Sequence, residues 1–496
     1  MEHMNFEEKE LKILRDAVDN ATTVVGKKTA QSEDIKNIIS ILETFLRTHK
    51  TVCYGGTAIN NILPEQYRFY NRNIEIPDYD FFTPDAQEYA KKLADIYYKN
   101  GFTEVEAKSG VHAGTYKVFV NFTPIADITY LDRVLFNNLL KNAIKVNAIS
   151  YCPPDFLRMG MYQELSRPMG DVTRWEKVLK RLILLNKNFP LKGLSCTKQD
   201  FQRHYEGSIE ERNHIYNITR DSFINQGLVF FGGYAASLYG RYMPKKEQRV
   251  IDSVPDFDIL SDNPDETATI LKEQLNYEGY NNVTIIKKPE IGEYVDEHFL
   301  VIVNNDLVAT IYKANACHSY NVIYVNNQKI KVASIDTMLY FYLIFVYANR
   351  KYLDANRLLC MSEYLFKVQL KNRLQQKGLL RRFSINCYGK QQSLEDIRAE
   401  KAMIFRTFKE KGLTRDSKEF KKHFLRYIPY ANDNKEKDKE KDKEKEKDKS
   451  VKKEKEKSVK KKKTVKKQNL KKPTKKQNSY KLLNKLKKPK PFKLFN

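Results

Sequence analysis

Val52-Cys-Tyr-Gly-Gly-Thr and Val229-Phe-Phe-Gly-Gly-Tyr decide the fold, because they are one stretch written twice. The parallel continues downstream in the same order. Ile76-Pro-Asp-Tyr-Asp-Phe matches Val254-Pro-Asp-Phe-Asp-Ile, and Tyr116-Lys-Val-Phe-Val-Asn matches Phe299-Leu-Val-Ile-Val-Asn. Ala126-Asp-Ile-Thr-Tyr aligns with Val308-Ala-Thr-Ile-Tyr, and Ile144-Lys-Val-Asn-Ala-Ile with Ile330-Lys-Val-Ala-Ser-Ile. The offset climbs slowly, from 177 residues at the glycines to 186 at the last match. Five matches kept in order read as one unit duplicated in tandem.

Each copy has the same local pattern. A helix with an apolar stripe leads in (Ile35, Ile38, Leu42, Phe45 and Leu46; then Ile215, Ile218 and Phe223). A short apolar strand ends at Gly-Gly, and a second strand carries Asp-x-Asp. A helix follows, over about residues 85–100 and 264–278, and then strands with period-two alternation. A helical segment closes each copy; in the first, Asp171 is placed to cap it. The expected class is therefore α+β, with mixed sheets and flanking helices.

The first copy carries a chemical pattern. Asp78 and Asp80 are two apart on a strand, so their side chains share a face. Two carboxylates side by side repel unless a positive charge lies between them, and hard oxygen ligands select Mg²⁺ or Mn²⁺. Asp127, expected on a neighbouring strand, adds a third carboxylate, and such a trio can hold two divalent ions. Gly55-Gly56-Thr57 opens a short helix, where glycines admit a phosphate to the backbone amides and Thr57 adds a hydroxyl. Either motif alone is a turn or a solvated strand end. Together, in order, they describe a phosphate cradle beside a metal triad.

This combination resembles the DNA polymerase β-type nucleotidyltransferase superfamily. The longer run is Tyr54-Gly-Gly-Thr-Ala-Ile-Asn, Pro77-Asp-Tyr-Asp-Phe-Phe, Ala126-Asp-Ile-Thr and Phe156-Leu-Arg-Met-Gly-Met-Tyr-Gln-Glu-Leu-Ser-Arg-Pro. It looks like the poly(A) polymerase catalytic subunit of large DNA viruses, in the poxvirus-related group and most like its giant-virus, mimivirus-type members. The resemblance extends over about residues 35–430. It implies transfer of AMP from ATP to an RNA 3′ hydroxyl without a template, with two Mg²⁺ or Mn²⁺ ions. It assigns Gly55, Gly56 and Thr57 to the nucleotide phosphates and Asp78, Asp80 and Asp127 to the metals, the last also as base near the 3′ hydroxyl. It implies RNA and ATP as partners, no membrane, and a place in the virion or the host-cytoplasmic viral factory.

In the second copy Tyr234 stands for Thr57 and Ala309 for Asp127, while Asp256 and Asp258 are kept. It reads as a degenerate, structural half, with a surface open to RNA or to a second copy in a homodimer. Arg158, Arg167, Arg174, Lys177, Lys180 and Arg181 form a basic cluster. Arg174, Lys177 and Arg181 share a helix face and suit either triphosphate or RNA, or a solvated surface equally well. His112 and His318 read as structural or surface residues, and Trp175 as core rather than a stacking platform.

Composition bounds the rest. Of 496 residues, 88 are Lys or Arg and 62 Asp or Glu, and from Ala431 onward there are 28 lysines against 10 acidic residues. The body is mildly basic and the tail is a polycation with almost no apolar content, expected to be disordered. The longest apolar run, Met338 to Ala348, is about half the ~20 residues of a membrane span. The charged N-terminus lacks a signal-peptide pattern. Six scattered cysteines without a CxxC pair argue against disulfides and zinc, and for a reducing compartment. The expected organisation is a helical segment (1–50), a catalytic domain (51–150), a helical linker (151–227), the degenerate domain (228–330), a helical region (331–430) and the Lys-rich tail (431–496). Two alternatives remain open at this point: a CCA-adding or oligoadenylate-type transferase on the same fold, and a non-catalytic RNA-binding scaffold.

Overall fold

The computed structural model describes residues 5–196, 206–248 and 257–429. The expected tail, and Asp256 of the second Asp-x-Asp, lie outside the described residues. Those up to Pro429 belong to one compact unit. In chain order the elements are α1 (Phe6–Ala30), α2 (Glu33–Thr48), β1 (Val52–Tyr54), α3 (Gly55–Ile62), β2 (Tyr79–Thr83), α4 (Ala86–Lys99), β3 (Val105–Ser109), β4 (Thr115–Val120) and β5 (Thr123–Tyr130). Next come α5 (Arg133–Lys141), β6 (Ile144–Val146), β7 (Ile149–Tyr151), α6 (Pro154–Leu165), α7 (Trp175–Asn188), α8 (Ile209–Asn225), β8 (Val229–Phe230), α9 (Gly233–Gly240) and α10 (Lys245–Gln248). They are followed by β9 (Phe257–Ser261), α11 (Pro264–Tyr277), β10 (Val283–Lys288), β11 (His298–Val303), β12 (Asp306–Lys313), β13 (His318–Val325) and β14 (Gln328–Ala333). The last are α12 (Ile335–Tyr347), α13 (Ala355–Lys371), β15 (Cys387–Tyr388), α14 (Leu394–Glu410), α15 (Lys418–Phe424) and β16 (Arg426–Tyr427).

The duplication is visible in the sheets. The first runs β16-β3-β4-β5-β2-β1-β7-β6 and the second β10-β11-β12-β9-β8-β14-β13-β15. Without the edge strands β16 and β15, the two orders correspond strand for strand. In each, the Asp-x-Asp strand is parallel to its later neighbour (β2 with β5, β9 with β12), while most other pairs are antiparallel. A β-bulge recurs at the same place, between Val118 and Phe119 and between Val301 and Ile302. Two hairpins also recur. Asn121-Phe122 and Asn147-Ala148 turn the first sheet, Asn304-Asn305 and Asn326-Asn327 the second, and all eight residues have positive φ. Two-residue hairpin loops of this hand need that backbone region twice, which asparagine tolerates.

One face of the first sheet is dry: Cys53, Phe81, Ile128 and Tyr116 are aligned across β1, β2, β5 and β4 and are buried. Phe45 of α2 meets Phe81, and Tyr97 of α4 donates to the Ile38 carbonyl of α2. The other face carries the acidic residues. The very apolar α12 is buried almost throughout, packing on α6 and α13. No helix among the described residues is long and apolar enough to cross a membrane.

The expectation about cysteines is corrected. Cys196 is joined to Cys360 and Cys317 to Cys387, with Cα atoms 5.4 and 5.0 Å apart. The partners are 164 and 70 residues apart in the chain, so no local spacing announces them. Cys53 and Cys152 are free and buried.

Candidate active site

The site is built on β1, α3, β2 and β5, and on α7 above them. β1 delivers the chain to Gly55, whose φ of +73° turns it into α3. A Cβ on Gly55 would stand 2.5 Å from Oδ2 of Asp80, so both backbone and carboxylate require glycine here. A Cβ on Gly56 would stand 2.6 Å from the Tyr70 hydroxyl and 2.9 Å from Nη1 of Arg181. The paired glycines thus let an acid close on one side of the turn and a cation on the other. Thr57 is buried, and its hydroxyl donates to the Asp78 carbonyl at 2.5 Å, tying α3 to the start of β2.

Asp80 is aligned with Asp127 across parallel β2 and β5, and Lys117 of β4 is aligned with Asp127 on its other side. Nζ of Lys117 lies 2.5 Å from Oδ2 of Asp127. Burial, then the like charges of Asp78 and Asp127, push Asp80 up to about 8; Lys117 and Arg174 oppose this. Asp78 is raised by desolvation and by Asp127, against Lys117 and Lys177. The six residues singled out from the sequence therefore converge on one place. Asp78 and Asp80, whose carboxyls are raised by burial and by the charges around them, need a cation beside Asp127, and in this structure Lys117 stands in for one. Among the described residues no three acidic, histidine or thiol groups form a ready-made metal cage. The donor set still fits a hard divalent ion, with Asp127 available once Lys117 swings away.

The basic cluster divides by position. Arg174, Lys177 and Arg181 face the site: the first two bear on Asp80 and Asp78, and Arg181 donates to the Tyr70 hydroxyl at 2.6 Å with its guanidinium over the Phe69 and Tyr70 rings. Arg158 is buried and structural, bonded to Asp155, Asn186 and the Phe189 carbonyl. Lys180 pairs with Glu176 on the exposed side. Trp175 is half-buried, donating to the Glu164 carbonyl at 2.9 Å, and His318 is buried against Tyr340. Asp171 caps the 3₁₀ turn that leads into α7. Sequence reasoning missed Lys117, Tyr54 and Tyr70. Tyr54 stacks on Phe82 at 3.8 Å and bonds Thr129 at 2.9 Å, fixing the entry to the glycine turn.

In the second copy the counterpart of Asp127 is Thr310, not Ala309. Asp258 is aligned with Thr310 and Phe257 with Ala309, as Asp80 is with Asp127 and Tyr79 with Ala126. The strand register sets an offset of 183 residues here, one more than the direct alignment of Ala126 with Val308. Leu300 occupies the place of Lys117 and Phe231 that of Tyr54.

Residues 40–171, which hold all six of these positions, match the family model "Poly(A) polymerase catalytic subunit". Over these residues the chain resembles that family. A relative from Acanthamoeba polyphaga mimivirus, named "Putative poly(A) polymerase catalytic subunit", is 27% identical over 252 residues, covering 49% of this chain and 41% of the relative. A namesake from African swine fever virus (strain Badajoz 1971 Vero-adapted) is 30% identical over 174 residues, 34% of this chain and 36% of its own. The chain thus spans about two fifths of the length of the curated relatives it matches. The crystal structure of the Megavirus polyadenylate synthase shares the fold, with a TM-score of 0.72 at 19% identity over 87% of both chains. The family match ends at 171, just before the helix that carries Lys177 and Arg181.

Proposed function

We propose that this chain is a viral poly(A) polymerase, adding AMP from ATP to RNA 3′ ends without a template. The observation that carries the reading is the register of Asp80 with Asp127 on parallel strands, beside Asp78 and against the bare turn of Gly55 and Gly56. The turn and the first amides of α3 receive the triphosphate, with Arg181 and Lys177 neutralising its outer charges from α7. Thr57 keeps Asp78 in place through its carbonyl. Asp127 stands nearest the attacking 3′ hydroxyl, and Lys117, released from it, takes up developing negative charge. Asp78, Asp80 and Asp127 would hold two Mg²⁺ or Mn²⁺ ions, which would supply activation of the hydroxyl and charge stabilisation of the pyrophosphate leaving group. The second copy serves as scaffold, and as the surface through which two chains associate. The relatives come from mimivirus and African swine fever virus, and the proposed setting is likewise a large DNA virus.

Primer extension with purified chain, an oligo(A) primer and each NTP separately tests this. Long homopolymers with ATP alone are expected. A short CCA addition, or RNA binding without incorporation in Mn²⁺, refutes it in favour of one of the alternatives.

A further inference from the structure

The chain between α3 and β2 passes both sides of the site. Its Tyr70 hydroxyl receives Arg181, whose guanidinium lies 4.9 Å from the centre of the Phe69 ring and 5.4 Å from that of Tyr70. Its last residue is Asp78, immediately before β2.

Two side chains hold this loop. The first is Asn60 of α3, whose Oδ1 accepts the backbone N–H of Phe69 at 2.8 Å and that of Tyr70 at 2.9 Å. An amide oxygen has two lone pairs, so one buried asparagine satisfies both donors. The second is Glu43 of α2. Its Oε1 accepts from Arg72 at 3.1 Å and from the Tyr79 hydroxyl at 2.8 Å, and Arg47 holds its other oxygen at 2.8 Å. Tyr79 lies between Asp78 and Asp80 in the chain, so Glu43 keeps the acids in place without help from Asn60. The two anchors therefore serve different ends of the loop, Asn60 the cation and Glu43 the acids.

The second copy matches neither side chain. At the 177-residue offset of the glycines, Asn60 becomes Ser237, whose hydroxyl turns back to the Tyr234 carbonyl at 2.7 Å. Tyr79 becomes Phe257, which has no hydroxyl. The half without Asp127 and Lys117 is thus also the half without Asn60. In the first copy Asn60 bears on one group above all. The hydrogen bond and both ring contacts of Arg181 go to Phe69 and Tyr70, the two residues whose N–H groups Asn60 holds. Where those residues stand decides where the guanidinium stands over Gly56.

We propose that Asn60 is a positioning residue for the nucleotide: through the backbone of Phe69 and Tyr70 it fixes the Arg181 guanidinium over the glycine turn, where the outer phosphates arrive. The inference deepens the poly(A) polymerase reading and rests on it. A planar guanidinium grips phosphate through paired, directional N–H···O bonds, so a loop free to swing weakens the grip while the charge remains.

The test uses the full chain with Asn60→Ala, Asn60→Ser, Arg181→Ala, and Asn60→Ala combined with Arg181→Ala, each checked by thermal melt. Asn60→Ser keeps a polar group in the pocket and brings in the residue with which the second copy folds. Equilibrium binding of ATP and of AMP is measured beside primer extension. Both Asn60 variants are expected to weaken ATP binding and raise its KM by about tenfold, the scale of one hydrogen bond to a charged group, with a smaller change in kcat. AMP, which lacks the outer phosphates, should bind as to wild type. The double variant should bind ATP as Arg181→Ala does alone, because Asn60 acts through that side chain. Losses that multiply in the double variant, or that are equal for ATP and AMP, overturn the proposal and leave Asn60 a structural residue. If the polymerase reading fails instead, wild type extends no primer, and the coupling of Asn60 to Arg181 is still read in ATP binding.

Discussion

Replacing the two cradle glycines by alanine, one at a time, separates folding cost from chemistry. Gly55→Ala places a side chain at φ +73°, where an L-residue costs about 1–2 kcal/mol. Its Cβ also meets the Asp80 carboxylate at 2.5 Å, on a strand that cannot retreat. A destabilisation of roughly 1–3 kcal/mol is expected, and a shift of Asp80 by ~1 Å lowers kcat by on the order of 10²-fold. Gly56→Ala differs in kind. Its φ is ordinary, alanine favours the first turn of α3 by up to ~1 kcal/mol, and the atoms it meets are the tips of Tyr70 and Arg181, which can move. Stability should change by less than ~1 kcal/mol, while displacement of Arg181 from above the turn raises KM for ATP with a smaller effect on kcat. Urea unfolding gives the first pair of numbers and steady-state primer extension the second. Gly232→Ala, which meets Asp258 in the second copy, is the control: it should destabilise and leave both kinetic constants of the folded fraction alone. Wild-type kcat in Gly55→Ala, or a larger folding cost in Gly56→Ala, would refute the proposed division of labour.

Asp78→Asn, Asp80→Asn and Asp127→Asn should each abolish transfer in a protein that still melts cooperatively. The metal-free Asp80→Asn variant is expected to melt no lower than wild type near pH 7, where Asp80 is already mostly protonated, and higher than wild type above about pH 8, where the wild-type carboxylate repels Asp78 and Asp127; primer extension and calorimetry check both. Asp256→Asn with Asp258→Asn should keep chain extension, since Thr310 and Leu300 supply neither carboxylate nor cation at the matching positions; loss of extension with RNA binding intact would place chemistry in the second copy. A chain ending at Tyr430 should start chains at a similar rate but release them sooner. Its log affinity should also fall less steeply with log salt, the slope being shallower by ~0.7 for each RNA phosphate that the tail lysines would otherwise neutralise; product lengths and a salt slope equal to those of the full chain refute a role in holding RNA.

The fold was legible because duplication writes each signal twice. A lone Gly-Gly says little, but Gly-Gly before Asp-x-Asp, 177 residues apart in two copies, states a strand order that the sheets reproduce. What was not legible depends on backbone geometry. Both copies carry the bulge, at Ile125 and Val308, and keep an offset of 183 on either side of it, whereas letter-by-letter alignment of Ala126 with Val308 used 182 and so chose Ala309 where the register puts Thr310. The hairpin asparagines were a further signal, since Asn-x recurs at both turns of both copies, but their meaning rests on φ and not on composition. The disulfides were hidden for the same topological reason: β15 joins the edge of the second sheet from 70 residues away.

Within the site, the contrast between copies identifies what the chemistry needs. Both keep a parallel pair of strands, the glycine pair and an acid beside it, so those features alone make a scaffold. The first copy adds Asp127, Lys117 and Tyr54 where the second has Thr310, Leu300 and Phe231. Aspartate and lysine at aligned positions form a pair of opposite charges that substrate or metal can part; threonine and leucine there form a dry, inert contact. The alternation of Tyr116-Lys-Val-Phe already puts Lys117 on the acidic face, and its replacement by leucine in the matching strand is a readable sign of which copy is active. Lys117→Leu in the first copy follows directly: Asp78, Asp80 and Asp127 would lose their internal counter-charge and depend wholly on divalent ions for stability. Thermal melts with and without Mg²⁺ should then differ more than in wild type, and an equal Mg²⁺ effect in both proteins would refute Lys117 as the stand-in cation.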